Sequence, residues 1–274
     1  KIWQYLFPKK MLFQLFSKCE KLLILEDGYP IVEEQLRGLL NLSNKVKGRL
    51  DGTLPRDGEL NPDIVGEALG KKTEKYYDVP SIVSNRPPEL CTGCGHRDVY
   101  EVLNQVMSEF GKMRVFSDIG CYTLGALPPF NSINSCVDMG ASITMAKGAS
   151  DAGLRPAVAV IGDSTFAHSG ITALLDAVNE NSPITVIISD NSTTGMTGGQ
   201  QSAATGKIED ICKGIGVHPD HIRVLTPLKK FHSEIANVLR EELKYEGVSV
   251  VIPRRECIQT AARAKKAEKS GTKE

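Results

Sequence analysis

Ala157-Val158-Ala159-Val160-Ile161-Gly162-Asp163-Ser164 and, further on, Ile184-Thr185-Val186-Ile187-Ile188-Ser189-Asp190-Asn191-Ser192-Thr193-Thr194 decide the reading of this chain. Each is a short apolar run that stops at small and oxygen-bearing residues, the pattern of a strand covered on both faces. Between them, Ile171 to Asn181 carries apolar residues at helical spacing. Strand, helix and strand in this order join parallel neighbours through a crossover. The alternation continues outward. Arg114 to Phe116, Ile133 to Val137 and Val248 to Ile252 read as strands, and Val99 to Phe110, Ala141 to Ala152 and Phe231 to Tyr245 as helices. The expected fold is α/β, a doubly wound, mostly parallel sheet with helices on both faces.

Upstream, Lys21-Leu22-Leu23-Ile24-Leu25-Glu26 reads as a strand and Ile31 to Leu42 as a helix. A lone β-α unit cannot bury both of its apolar faces, so residues 1–60 are expected to be the C-terminal part of an upstream α/β domain. The chain begins with Lys1 rather than Met, which fits a start partway through a longer protein. Residues 61–88 carry turn signals such as Asn85-Arg86-Pro87-Pro88 and read as a linker. Residues 89–258 form the main domain and residues 259–274 a charged tail, expected to be a frayed, solvated helix.

Lys plus Arg number 33, as do Asp plus Glu, so no net field recommends nucleic acid or an acidic membrane as a partner. The apolar runs are too short to cross a bilayer, and the N-terminus lacks a signal-peptide pattern; a cytoplasmic location is expected. Seven cysteines, an odd count that includes Cys91-Thr92-Gly93-Cys94, suit a metal or redox site in a reducing compartment.

In parallel sheets ligands gather at the carboxyl ends of the strands. There the carboxylate of Asp163, the side chain of Asn191 and the carbonyl of Thr193 offer oxygen ligands of the kind that Mg2+ takes beside a bound phosphate. Gly162 allows close backbone approach, and the helix opening at Ser164 presents free N–H groups. The plainer alternative is a strand-to-helix turn with Asp163 as its cap. Cys91 and Cys94 on one tight turn suit an iron–sulfur cluster or a zinc knuckle. Cys121 and Cys257 follow the Arg114 and Val248 strands and are candidates for the remaining ligands; they read equally as small buried apolar residues, with Cys212 as a substitute ligand.

Gly162-Asp163-Ser164 with Asn191 downstream resembles the thiamine-diphosphate motif, and Thr197-Gly198-Gly199-Gln200 resembles the segment found in 2-oxoacid:ferredoxin oxidoreductases. In that family four cysteines hold a [4Fe–4S] cluster, and they match Cys91, Cys94, Cys121 and Cys257 one by one, with Thr92 in place of the usual Pro and Glu256 before the last Cys. Leu90 to Arg97, Asp118 to Pro129 and Gly162 to Ile171 are similar to the large subunit of indolepyruvate:ferredoxin oxidoreductases. Many relatives continue into a ferredoxin-like domain that does not precede Glu274 here.

The resemblance implies thiamine diphosphate, Mg2+ and a [4Fe–4S] cluster as cofactors, and oxidative decarboxylation of an aryl pyruvate to an acyl-CoA with ferredoxin as acceptor. It places Gly120, Cys121, Met139, Gly140, Gly162, Asp163, Ser164, Asn191, Thr193 and Thr197 around the thiamine cofactor, with Met139 also readable as a plain core residue. His168 is the candidate to steady the substrate carboxylate or alkoxide, or else a polar residue in a helix's first turn. The implied partners are an upstream pyrimidine-binding domain carrying the cofactor's glutamate, a small β subunit, ferredoxin and coenzyme A, in a dimer of heterodimers. The competing readings are a non-oxidative thiamine-dependent decarboxylase or carboligase, and a non-catalytic iron–sulfur or zinc interaction module.

Overall fold

Strand-forming runs and helical stripes alternate through the larger part of the chain, and they fold into one sheet. In this computed structural model residues 8–39, 44–72, 80–84, 86–111 and 114–270 are described. The first seven residues, residues 40–42 of the helix expected over residues 31–42, Asn85 and residues 271–274 of the tail lie outside them. The chain divides into two compact units, Lys1–Asn85 and Arg86–Glu274.

In the first unit, helix α1 (Lys9–Lys18), strand β1 (Leu22–Leu23), helix α2 (Ile31–Leu39) and strand β2 (Val46–Lys47) enclose a small core of Leu12, Phe16, Leu36 and Val46. β1 and β2 pair in parallel. Helix α3 (Pro62–Ala68) forms within the segment read as a linker, because Asn61 Oδ1 accepts from Ile64 N at 3.0 Å and Pro62 starts the first turn.

The second unit contains helix α4 (Gly95–Met107), strands β3 (Val115–Ser117) and β4 (Ser135–Cys136), helix α5 (Ala141–Asp151) and strand β5 (Val158–Gly162). Helix α6 (Asp163–Thr165) runs through a π turn at Phe166–Gly170 into α7 (Ile171–Asn179). Strands β6 (Thr185–Ser189), β7 (Thr193–Thr194) and β8 (Gln200–Gln201), helix α8 (Ile208–Ile215), strand β9 (Ile222–Leu225), helix α9 (His232–Glu242), strand β10 (Ser249–Pro253) and helix α10 (Ile258–Ser270) complete it.

The main sheet has the order β4-β3-β5-β6-β10-β9, with every pair parallel. β5, β6 and β10 are buried along their whole length, as their unbroken apolar runs require. Alternate residues feed two cores. Val115, Val158, Val160, Ile187 and Val251 pack with α4 and α9 on one face, and Ala159, Ile161, Val186, Ile188 and Val250 pack with α5, α7 and α8 on the other. Sequence pattern alone gives no strand at β9. It is an edge strand paired only with β10, and Arg223 and the half-exposed Val224 interrupt its apolar character. No described helix is long and apolar enough to cross a membrane.

The chain leaves β3 toward β4 on one side and returns to β5 on the other. The strand order therefore reverses between β3 and β5, and their carboxyl ends flank the crevice where α/β sheets bind ligands.

Candidate thiamine-diphosphate and metal site

β5 and β6 pair in register up to Gly162 opposite Ser189, which brings the loops carrying Asp163 and Asn191 out side by side. Both residues line one cavity, together with Gly120, Cys121, Met139, Gly162, Ser164, Thr193 and Thr197. Asp163 is 2 % exposed, and its Oδ2 is buried without a hydrogen-bond partner among the described residues. Burial pushes its carboxyl up to about 6; the neighbouring Asp190 adds to the rise and a hydrogen bond with the Ser202 hydroxyl offsets part of it. A buried carboxylate oxygen with no donor costs free energy that a bound cation removes, so the pocket fits Mg2+. Asn191 Oδ1 accepts from Thr193 N at 3.2 Å, and Ser164 Oγ lies 2.7 Å from Thr194 Oγ1, linking the two loops. Thr197 braces the next turn through Gln200, with Oγ1 2.7 Å from Oε1 and Gln200 Nε2 donating to Thr197 O at 2.8 Å.

Asp118 organises the opposite wall. Fully buried after β3, its Oδ2 accepts from Gly140 N at 3.2 Å, Ser142 N at 3.4 Å and Ser142 Oγ at 2.6 Å, and its Oδ1 accepts from Tyr122 OH. Burial raises its pKa against these donors. The Tyr122 ring so fixed lies over Gly120 and Gly162, where an added Cβ would collide with ring carbon Cε1. Gly140 has φ +95° and its Cβ position is occupied by Ser169, so the turn leading from Met139 into α5 requires glycine.

Cys91, Cys94, Cys121 and Cys257 converge on a second cavity. They arrive from the turn before α4, the loop after β3 and the loop after β10. Burial pushes the Cys121 thiol up to about 11, with Cys257, Cys94 and Cys91 contributing, and it raises Cys94 as well. Among the described residues no three of these sulfurs lie within 4.8 Å of one another. Cys212 is buried in the core on α8 and lines neither cavity. The two cavities share His96, Cys121, Asn191 and Gly195 as walls. Cys121 and Gly195 meet there so closely that a Cβ at Gly195 would sit 3.0 Å from Cys121 Sγ.

The structure does not bring His168 to either cavity. Phe166 is pulled into the core and Gly170 packs near Ile161 and Ile143, which turns His168 outward; it is exposed, with Nδ1 2.9 Å from Ser169 Oγ. Gly140 stands behind the lining, one residue from Met139, which itself reaches the cavity at 39 % exposure. Sequence reasoning missed Asp118, Tyr122 and the ion pair of Arg254 with Asp190. Asp118 reaches Gly140 and Ser142, the Tyr122 ring packs on Gly162, and Arg254 meets Asp190, all contacts between distant segments that no local pattern signals.

Residues 118–252 match the family described as thiamine pyrophosphate enzyme, C-terminal TPP binding domain. The indolepyruvate oxidoreductase subunit IorA of Archaeoglobus fulgidus is 34% identical over 95% of this chain and 45% of its own length. That of Methanothermobacter thermautotrophicus is 35% identical over 93% of this chain and 44% of its own. A solved 2-oxoglutarate:ferredoxin oxidoreductase from Magnetococcus marinus, with 2-oxoglutarate, coenzyme A and succinyl-CoA bound, superposes with a TM-score of 0.53 and 21% identity over 64% of this chain and 66% of that one, a likeness of fold. The chain spans less than half the length of the curated relatives it matches. With residues 118–252 matching a TPP binding domain and the similarity to those relatives running along 93–95% of its length, this chain belongs to the family of indolepyruvate oxidoreductase IorA subunits.

Proposed function

We propose that this chain is the thiamine-diphosphate-binding part of a 2-oxoacid:ferredoxin oxidoreductase acting on indolepyruvate or another aryl pyruvate, with electrons leaving through a [4Fe–4S] cluster. One observation carries the reading: a cavity containing Asp163 and Asn191 shares its wall with a cavity lined by four cysteines. A non-oxidative decarboxylase has no use for the second cavity.

Asp163, the Asn191 side chain and the Thr193 carbonyl are the Mg2+ ligands in this reading, and Gly162 and Ser164 admit the diphosphate. Gly120, Met139 and Thr197 line the rest of the cofactor cavity. Thiamine diphosphate, when bound, supplies a nucleophilic carbon and an electron sink for decarboxylation. Cys91, Cys94, Cys121 and Cys257 hold the cluster, and Cys121 serves as the wall between it and the cofactor. The glutamate that contacts the cofactor's aminopyrimidine comes from a separate pyrimidine-binding domain, and a small β subunit, ferredoxin and coenzyme A complete the system. His168 is exposed and lines neither cavity, and it carries no role in this reading.

The test is anaerobic purification of the complete subunit assembly, with iron and sulfide analysis and visible spectroscopy. About four irons per chain are expected. Acceptor reduction is then compared across indolepyruvate, phenylpyruvate, pyruvate and 2-oxoglutarate, with the aryl substrates fastest. Zinc in place of iron contradicts the electron route, and preference for 2-oxoglutarate contradicts the substrate.

A further inference from the structure

His96 borders both cavities and belongs to neither of the proposed ligand sets. It is the second residue of α4, which begins as soon as the Cys91 to Cys94 turn closes through Cys94 N donating to Cys91 O at 3.0 Å. Its ring is 5 % exposed and lies edge-on to Tyr122, with centroids 6.4 Å apart. Nδ1 stands 3.3 Å from Cys94 Sγ. The backbone is still extended at Cys94 (φ −67°, ψ 137°) and helical from Gly95 onward, and this change of direction sets the imidazole against the sulfur.

A buried polar ring needs a partner, and the one shown for His96 among the described residues is this sulfur. While Cys94 is a thiol, either group can donate. A metal-bound thiolate has no proton, so the contact then persists only with the imidazole as donor. Gln259 Nε2 approaches Cys91 Sγ at 3.6 Å, but from an exposed side chain, so its contact is longer and more solvated.

We infer that His96 is a positioning residue that donates its Nδ1–H to the metal-bound Cys94 thiolate, aiming that sulfur and raising the reduction potential of the cluster. The inference rests on the four-cysteine reading. Reduction adds negative charge that is shared by the cluster sulfurs. An N–H dipole pointed at one of them stabilises the reduced state more than the oxidised one, and a dry setting strengthens the effect. His96 also lines the Asp163 cavity, so this donor stands at the wall that separates the site of 2-oxoacid chemistry from the electron acceptor.

The experiment uses the complete subunit assembly purified without oxygen. His96→Leu keeps bulk and removes both ring nitrogens, whereas His96→Asn retains a side-chain N–H near the place of Nδ1. Iron and sulfide are counted first, and the midpoint potential is then titrated by electron paramagnetic resonance. The expected result is an iron-replete His96→Leu variant with a midpoint shifted to more negative potential, and recovery of most of the shift in His96→Asn. An unchanged midpoint in iron-replete His96→Leu overturns the inference. Should His96→Leu lose its iron, pulsed resonance on the unaltered assembly with isotope-labelled histidine decides: coupling of a histidine nitrogen to the reduced cluster supports the donor, and no coupling overturns it. An unaltered assembly without iron overturns the four-cysteine reading, and this inference with it.

Discussion

The backbone N–H of Cys257 donates to the carbonyl of Asn191 at 3.1 Å. Asp190 N also donates to Pro253 O at 3.1 Å and Arg255 N to Asp190 O at 2.9 Å, so the pairing of β6 with β10 continues past the strand ends. The loop that presents the proposed Mg2+ ligands and the loop that presents the last cysteine are thus one hydrogen-bonded piece. A displacement of either is felt in both cavities.

Arg254 clamps that piece. Its Nε donates to Asp190 Oδ2 at 2.5 Å, and its other nitrogens form a fork on Glu209 at 2.8 and 2.6 Å. Arg254→Gln leaves the 2 % exposed Asp190 without its cation. Arg254 is itself 34% exposed, so the cost is expected below that of a fully buried pair, about 2 kcal/mol in chemical denaturation. Thiamine-diphosphate affinity should fall about tenfold in calorimetric titration, because the displaced Asp190 adjoins Asn191.

Asp163 makes Mg2+ binding depend on pH. Its carboxyl is raised by burial from 3.8 to about 6, so the metal-free protein has its full stability below the unfolded value and loses it as pH rises through about 6. The loss amounts to about 3 kcal/mol. Denaturation at about pH 4 and about pH 8 should show most of this loss, and Asp163→Asn should flatten it. Cofactor binding runs the other way: Mg2+ needs the ionised carboxylate, so affinity should climb with pH through about 6 and be abolished in Asp163→Ala.

Cys257→Ala should deplete iron in the purified assembly while circular dichroism stays unchanged, since Cys257 lies beyond the last strand of the sheet. Cys212→Ala should keep its iron and lose only about 1 kcal/mol from a small core cavity. Full iron in the Cys257 variant would remove it from the ligand set.

Gly162→Ala would place a methyl group 2.5 Å from Tyr122 Cε1. The ring must move and give up its hydrogen bond to Asp118, at an expected cost of about 1–3 kcal/mol. Thermal denaturation measures it, with weaker thiamine-diphosphate binding as the accompanying effect.

The strands that carry the site were legible because each is a continuous apolar run with a change of chemistry at its end, as in Ile161-Gly162-Asp163 and Ser189-Asp190-Asn191. The cysteines were legible for the same reason, since each of the three segments that bear them adjoins a recognisable strand or turn. Other features depend on long-range packing. Asp118 owes its place to donors on Gly140 and Ser142, and nothing near it in sequence marks it as buried. His168 was read onto the site because it follows Asp163 closely, whereas the π turn carries it outward. The tail, expected as a solvated helix, begins its helix at Ile258 and ties back to the glycine loop through Arg263 donating to Gly198 O at 2.8 Å, a contact its charged composition conceals.

The proposed arrangement is two cofactor sites separated by one shared wall. Anomalous diffraction at the iron edge, from anaerobic crystals of the complete assembly soaked with Mg2+ and thiamine diphosphate, tests it most directly. Iron density bounded by Cys91, Cys94, Cys121 and Cys257, with the diphosphate tail at Asp163 and Asn191, is the predicted result. Iron bound elsewhere, a lone zinc among those cysteines, or a diphosphate that avoids Asp163 would contradict it.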